Sequence, residues 1–184
     1  MSTPVVRIIG PGGAGKSTAG TLLADRLGWV CVDLDGYFLA NSGNISGFIG
    51  RHGYECYAKQ NIANYLALSI AMDEPSIFVL SSGFMTYPDQ IDPRYPAIRY
   101  AIEAHPLTVL LLPSFDLEKC VQIIVQRQLQ RPYLPGDKES EERRIRNRFP
   151  SFMAMGCKRF LSNAEPTQVA LELERFVATN RRSV

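Results

Sequence analysis

Gly10-Pro11-Gly12-Gly13-Ala14-Gly15-Lys16-Ser17 fits the pattern G-x-x-x-x-G-K-[ST]. Glycines at these spacings let successive backbone N–H groups turn inward on a phosphate, and a helix starting beside them adds the partial positive charge of its N-terminus. The residues from Gly12 to Thr18 (Gly12, Gly13, Ala14, Gly15, Lys16, Ser17 and Thr18) are the expected nucleotide cradle. Lys16 would reach the β- and γ-phosphates and Ser17 would ligate Mg²⁺. A second chemical pair, Asp33-Leu34-Asp35, stands at the end of the next apolar run. A carboxylate at such a place can accept a proton from a hydroxyl.

The elements that must position these groups are legible around them. Val5-Val6-Arg7-Ile8-Ile9 reads as a short buried strand entering the loop, and Ser17 to Leu27 as the helix leaving it, with Leu22, Leu23 and Leu27 on one face. Further strands are expected at Val30-Cys31-Val32, Ser76 to Leu80, Leu107 to Leu112 and Arg159-Phe160-Leu161. Helical stretches fall near 57–72, 96–104, 117–130, 139–157 and 166–179. Alternating strands and helices predict an α/β fold with a five-stranded parallel sheet sandwiched by helices. Segments 35–53, 83–94 and 131–140 read as irregular, and the first two directly follow strands, at the edge where such sheets bind ligands.

Composition narrows the class. A chain of 184 residues, 46% hydrophobic and 21% charged, suits one domain that buries about 70% of its unfolded surface. A formal net charge of +2, with no basic run interleaved with aromatics, argues against a nucleic-acid partner. Cys31, Cys56, Cys120 and Cys157 form no C-x-x-C and share no ligand-like spacing with His52 or His105, so four reduced, mostly buried thiols are expected. The start reads as neither a signal peptide nor a membrane span, and the expected location is the cytoplasm.

A GTPase would need an Asn-Lys-x-Asp motif, which is absent, and Asp33-Leu34-Asp35-Gly36 comes too early to serve as a D-x-x-G switch. A small kinase needs an acid near Mg²⁺, an acid near the acceptor hydroxyl, and a basic lid that closes over the transferring phosphoryl group. On these parts the sequence resembles the shikimate kinase family, within the nucleoside monophosphate kinase-like group. The phosphate loop matches, as does Asp33-x-Asp35. Residues 45–57 resemble the family's substrate segment, Arg131-Pro132-Tyr133-Leu134-Pro135-Gly136-Asp137 its R-P-L-L-x-G-D lid, and Arg148-Phe149-Pro150-Ser151-Phe152 its R-x-P-x-Y.

The resemblance implies a P-loop kinase domain over 1–184, with a lid at about 131–140 and an acceptor-binding segment at about 35–61. It implies ATP and Mg²⁺ as cofactors and a small-molecule hydroxyl as acceptor. By it, Ser17 and Asp33 serve the metal; Lys16, Asp35 and Arg131 serve catalysis; Asp35, Gly83 and Arg148 serve the acceptor. Arg127, just before the lid, is a further candidate, for covering the adenine. The other arginines near the lid, Arg143, Arg144 and Arg146, lie among Glu139, Glu141 and Glu142 and read as a solvated helix face.

The acceptor half departs from the family pattern. The family's F-R pair followed by Glu, whose arginine grips a carboxylate, is here Tyr57-Ala58 and Asn61, and its three glycines after the third strand have become Gly83-Phe84-Met85. Phe84 and Met85 are therefore expected to intrude on the acceptor's space, and Phe84, Met85, Tyr87, Phe48 and Tyr54 form a candidate apolar or aromatic lining. Arg51, His52 and Lys59 are the available substitutes for the missing arginine. Shikimate, another small acceptor (a sugar acid, nucleoside or antibiotic), and a nucleotide-binding regulator without turnover are the readings that follow.

Overall fold

The computed structural model describes residues 3–130 and 138–181. Five parallel strands, β1 (Val5–Ile9), β2 (Val30–Asp33), β3 (Ser76–Val79), β4 (Thr108–Leu112) and β5 (Lys158–Leu161), form one sheet in the order β2-β3-β1-β4-β5. β1, β3 and β4 are apolar runs with both faces covered, whereas β2 and β5 are the partly exposed edges. Alternate β1 residues divide the core. Val6 and Ile8 join Ile77, Val79, Val109 and Leu111 beneath helices α1 (Lys16–Leu27) and α7 (Pro166–Asn180). Val5 and Ile9 face the other layer, built from α2 (Leu34–Ser42), α3 (Ile45–Ala71), α4 (Tyr95–Ala104), α5 (Leu117–Leu129) and α6 (Lys138–Ala154).

The chain leaves β1 for β2 and β3 on one side and for β4 and β5 on the other, so a crevice opens where the order reverses, at the carboxyl ends of β1 and β3. The phosphate loop follows β1, Asp33 ends β2, and Ser81-Ser82-Gly83 follows β3. Two glycines fix the loop's path. Gly10 has φ 141°, and a Cβ there would lie 2.4 Å from the Leu111 carbonyl oxygen of the neighbouring strand; Gly15, at φ 84°, takes the left-handed turn that launches α1.

Several expectations need correction. Segment 35–53 is helical rather than irregular: Asp33 caps α2, Asn44 caps α3, and α3 begins at Ile45 rather than near Tyr57. The Gly-rich spelling suggested a loop, yet Asn44 Oδ1 accepts from Gly47 N at 2.9 Å, and Ile45, Phe48 and Ile49, at helical spacing, pack on the core. Only Gly53, at φ 82°, interrupts the helix. Segment 83–94 contains two short 3₁₀ turns, Phe84–Thr86 and Asp89–Ile91. The last expected helix before β5 ends at Ala154.

Of the four thiols only Cys120 is buried. Cys31 lies on the edge strand β2, Cys157 beside the edge strand β5, and Cys56 on the outward face of α3. Among the described residues no helix is long and apolar enough to cross a membrane.

Candidate active site

A cleft of about 420 Å³ runs along the carboxyl ends of β1 and β3, with the phosphate loop at one end and α3 and α6 at the other. Gly12, Gly13, Gly15, Lys16, Ser17 and Thr18 line it. Ala14 does not; its methyl is buried in the core and its N–H donates to the Pro11 carbonyl at 3.3 Å. Lys16 is buried beside the loop, with its Nζ donating to the same Pro11 carbonyl at 3.0 Å. Gln128, on α5, closes the loop from above. A Cβ on Gly12 would lie 2.7 Å from its Nε2, so any side chain there would push the Gln128 amide aside.

Asp33 joins the second strand to the loop. Its Oδ1 accepts from the N–H groups of Asp35 (2.9 Å) and Gly36 (3.2 Å), capping α2, while its Oδ2 accepts from Ser17 Oγ at 2.6 Å. The capping bonds fix the carboxylate, and the free end of that geometry is aimed at Ser17. Ser17 and Asp33 thus present two hard oxygen donors side by side. Mg²⁺ in nucleotide sites needs only one or two protein oxygens, since phosphates and water complete its shell. Accordingly, a cluster of three or more His, Cys, Asp or Glu side chains fit for a metal, absent among the described residues, is not required.

In the first turn of α2, Asp35 points into the cleft. Its Oδ1 is buried and has no hydrogen-bond partner among the described residues. Burial pushes its pKa up; the Ser81 hydroxyl and the Lys16 ammonium pull against that, and Asp33 adds to it. Ser81 is held from behind by Asn61, whose Nδ2 donates to Ser81 Oγ at 2.8 Å and to Tyr87 Oη at 2.9 Å. Asn61 therefore occupies the place of the family's glutamate as a fully buried amide serving the loop after β3.

Gly83 floors the far end. A Cβ there would sit 2.8 Å from Tyr54 Oη and 3.1 Å from Arg148 Nη2, so a side chain at this position would displace that pair. Arg148, on α6, donates from Nη2 to Tyr54 Oη at 3.0 Å. Ile45, Ser46 and Ile49 from α3, with Tyr54 and Tyr57, complete the wall, and Arg144 joins Arg148 on the α6 side.

The expected obstruction by Phe84 and Met85 is not there. The 3₁₀ turn after Gly83 carries both side chains into the core, where they are 0% and 2% exposed. Phe84 packs against Tyr65, Tyr87 and Tyr95, and Tyr95 Oη donates to the Phe84 carbonyl at 2.6 Å. Burying a side chain of this size stabilises by about 1.5–3 kcal/mol, which outweighs any pull toward the cleft. Of the candidate aromatic lining only Tyr54 faces the cleft; Tyr87 is buried and Phe48 packs edge-on against Phe38. Arg51, His52 and Lys59 are exposed and lie outside the cleft, Lys59 being paired with Glu55 at 2.6 Å. Ala58 is fully buried.

A second cleft, on the other side of the loop, is lined by Gly13, Gly15, Thr18, Arg127 and residues 162–166. Arg127 spans it, donating to the carbonyls of Gly13 (3.2 Å) and Ser162 (3.0 Å), beside Pro166 at the start of α7. Arg131 and the segment 131–137 lie outside the described residues, and residues 138–140, expected in the lid, form the first turn of α6.

Sequence reasoning did not single out Ser81, Ser82, Gln128 or Arg144. For Arg144 the signal was present: it stands four residues before Arg148, one turn away on the same helix.

A family model described as shikimate kinase matches residues 12–178. The chain belongs to the shikimate kinase family. Members transfer a phosphoryl group from ATP to a hydroxyl, and this chain is a phosphotransferase of that kind, acting on shikimate or a similar small molecule. Solved shikimate kinases share its fold. The enzyme from Acinetobacter baumannii in complex with shikimate is 20% identical, with a TM-score of 0.76, covering 98% of this chain and 96% of its own. Those from Bacteroides thetaiotaomicron and Aquifex aeolicus are each 18% identical, with TM-scores of 0.70 and 0.71 and coverage of 97% and 96% of this chain and 98% of their own. Comparison with curated protein sequences gives no match.

Proposed function

We propose that this member of the shikimate kinase family binds Mg-ATP on the loop of residues 12–18 and transfers the γ-phosphoryl group to a hydroxyl of a small carboxylic acid, with shikimate the leading acceptor. The observation that carries the reading is the unpartnered, buried Asp35 Oδ1 facing the cleft within the electrostatic reach of Lys16. An ionised carboxylate only accepts hydrogen bonds, so such an atom calls for a donor, and an acceptor hydroxyl would supply one. With its proton held by Asp35, the hydroxyl oxygen would be turned toward the phosphate end. Burial, the first cause of its raised pKa, makes the Asp35 carboxylate a better base than an exposed aspartate.

Lys16 and the loop N–H groups would carry the charge of the β- and γ-phosphates, and Ser17 with Asp33 would hold Mg²⁺, which neutralises phosphate charge when bound. The base of the nucleotide fits the second cleft, with the Arg127 guanidinium and Pro166 as its flat walls. Gly83, which lines the cleft beside Arg148, would border the acceptor. Residues 35–61 and 1–184 keep their proposed roles as acceptor segment and single kinase unit. The cytoplasm, where Mg-ATP is abundant, is the compartment this reading implies.

A coupled ADP-release screen of hydroxylated acids, shikimate and sugar acids among them, tests it, with Lys16→Ala as control. ADP release that depends on an acidic acceptor and is lost in Lys16→Ala is the expected result. Tight Mg-ATP binding with no acceptor-stimulated release would instead indicate a regulator without turnover.

A further inference from the structure

We propose that Arg144, oriented by the buried Glu141, is a second anion-binding residue of the acceptor pocket, so that the acceptor's carboxylate is gripped by two guanidiniums of one helix, Arg144 and Arg148. The inference rests on the kinase reading above and names the recognition chemistry of the same cleft.

The face pattern of α6 separates its basic residues. Glu141, Ile145, Phe149 and Phe152 are buried toward the core. Arg146 points away and forms a two-pronged pair with Glu118, at 2.5 and 2.8 Å, and Arg143 is exposed. Arg144 and Arg148, one turn apart, are the arginines that line the cleft among the described residues. Tyr54 lines the same cleft and accepts from Arg148 Nη2; burial raises its pKa, and the charges of Arg148 and Arg144 oppose that rise.

The charges at this end do not balance. Glu141, 7% exposed, pairs with Arg144 Nη1 at 2.5 Å and offsets one positive charge. Arg148 is bonded to the neutral Tyr54 hydroxyl, and among the described residues it belongs to none of the ion pairs of α6. The remaining wall at this end, Ile45, Ser46, Ile49 and Gly83, carries no carboxylate. An excess positive charge in a half-enclosed, partly apolar pocket selects an anionic ligand, and two adjacent planar forks suit a carboxylate. The buried Ala58 supplies no cation from α3, so recognition falls to α6. Glu141 is here a positioning residue: its ion pair orients the Arg144 guanidinium, which would otherwise follow solvent.

The test is steady-state kinetics with shikimate as probe in wild type, Arg144→Gln, Arg144→Lys, Glu141→Gln and the outward-facing control Arg143→Gln. Loss of one charge-assisted grip, worth about 1.5–3 kcal/mol, raises the KM for shikimate roughly 10- to 100-fold in Arg144→Gln. The kcat should fall less than about threefold and the KM for Mg-ATP should not move. Arg144→Lys recovers part of the loss, Glu141→Gln shows a smaller rise in the same KM, and Arg143→Gln matches wild type. Shikimate methyl ester, measured as a substrate or as a competitive inhibitor, should bind wild type and Arg144→Gln equally. An unchanged KM for shikimate in Arg144→Gln, or equal losses for acid and ester, overturns the proposal. Absence of any shikimate turnover in wild type overturns the kinase reading for this acceptor as well, an outcome distinct from turnover that ignores Arg144.

Discussion

Burial makes ionisation of Asp35 costly. Its carboxyl is desolvated, its Oδ1 lacks a partner among the described residues, and its pKa is raised, first by burial and secondarily by Asp33. A pKa raised on folding means that the ionised form is the costly one. The neutral form carries no such penalty, so the stability associated with Asp35 is fully present below the unfolded value of about 3.9 and is lost as pH rises through the higher folded value. Asp35→Asn, neutral at every pH, should therefore melt above wild type at pH 7–8, with the gap closing as pH falls toward about 4. Each 1 kcal/mol of gain would read as about 2–4 °C in a chain of this size. Differential scanning calorimetry across this range checks it, and a variant less stable than wild type at pH 7.5 would contradict it. Asp33 contrasts with Asp35, because its oxygens already serve Ser17 and the α2 cap.

At the scale of elements, the phosphate loop and its flanking strand and helix were legible because every signal coincides there: an apolar run, fixed glycines, then a helix. Asp33 and Asp35 followed from their place at a strand end. The helical character of residues 35–53 was not legible, since Gly36, Gly43, Gly47, Gly50 and Gly53 lower helix propensity throughout. Tertiary packing of Phe38, Phe48 and Tyr57 on one another wins over that local preference. The inward turn of Phe84 and Met85 was hidden for a related reason: loop residues adjoining a site can face either the ligand or the core, and only the 3₁₀ geometry decides. Arg144 is solvent-exposed, as its charged neighbours suggest, and also lines the cleft, which charge counting along a helix does not reveal.

The packing of α1 on the sheet gives a direct test at this scale. A Cβ on Gly20 would lie 2.5 Å from Val79 Cγ2 and 3.5 Å from Ile8 Cδ1, so the glycine lets the loop's helix sit close against β3 and β1. Gly20→Ala should destabilise by about 1–3 kcal/mol despite alanine's better helix propensity. Trimming the opposing side chain relieves the clash, so Gly20→Ala with Val79→Ala should cost less than the two single changes added together, by about 0.5 kcal/mol or more. Urea unfolding of the four proteins measures the coupling; strict additivity would show that α1 does not press on β3 as described.

Across the whole molecule the sheet separates a chemical edge from a structural one. At the edge opposite the phosphate loop, His105 joins α4 to β4, and its Nδ1 accepts from Leu107 N at 3.1 Å, a bond only an unprotonated Nδ1 can make. Burial, with help from the nearby Arg7 charge, lowers its pKa to about 4 from an ordinary 6.5. Such a depressed pKa gives stability that is present above about pH 6.5 and is lost as pH falls toward about 4. His105→Asn, which keeps an acceptor without titrating, should flatten the fall of melting temperature across that interval; an equally steep fall would assign the acid sensitivity elsewhere.

The chemical edge carries the central claim, that one cleft binds Mg-ATP at residues 12–18 and deprotonates an acidic acceptor at Asp35. The most direct measurement is kcat/KM for shikimate-dependent ADP release in wild type and Asp35→Asn, with the Mg-ATP affinity of each taken by isothermal titration. Loss of a positioned general base predicts a fall of about 10²–10⁴-fold in Asp35→Asn at unchanged Mg-ATP affinity. Shikimate turnover that is equal in the two proteins would contradict it.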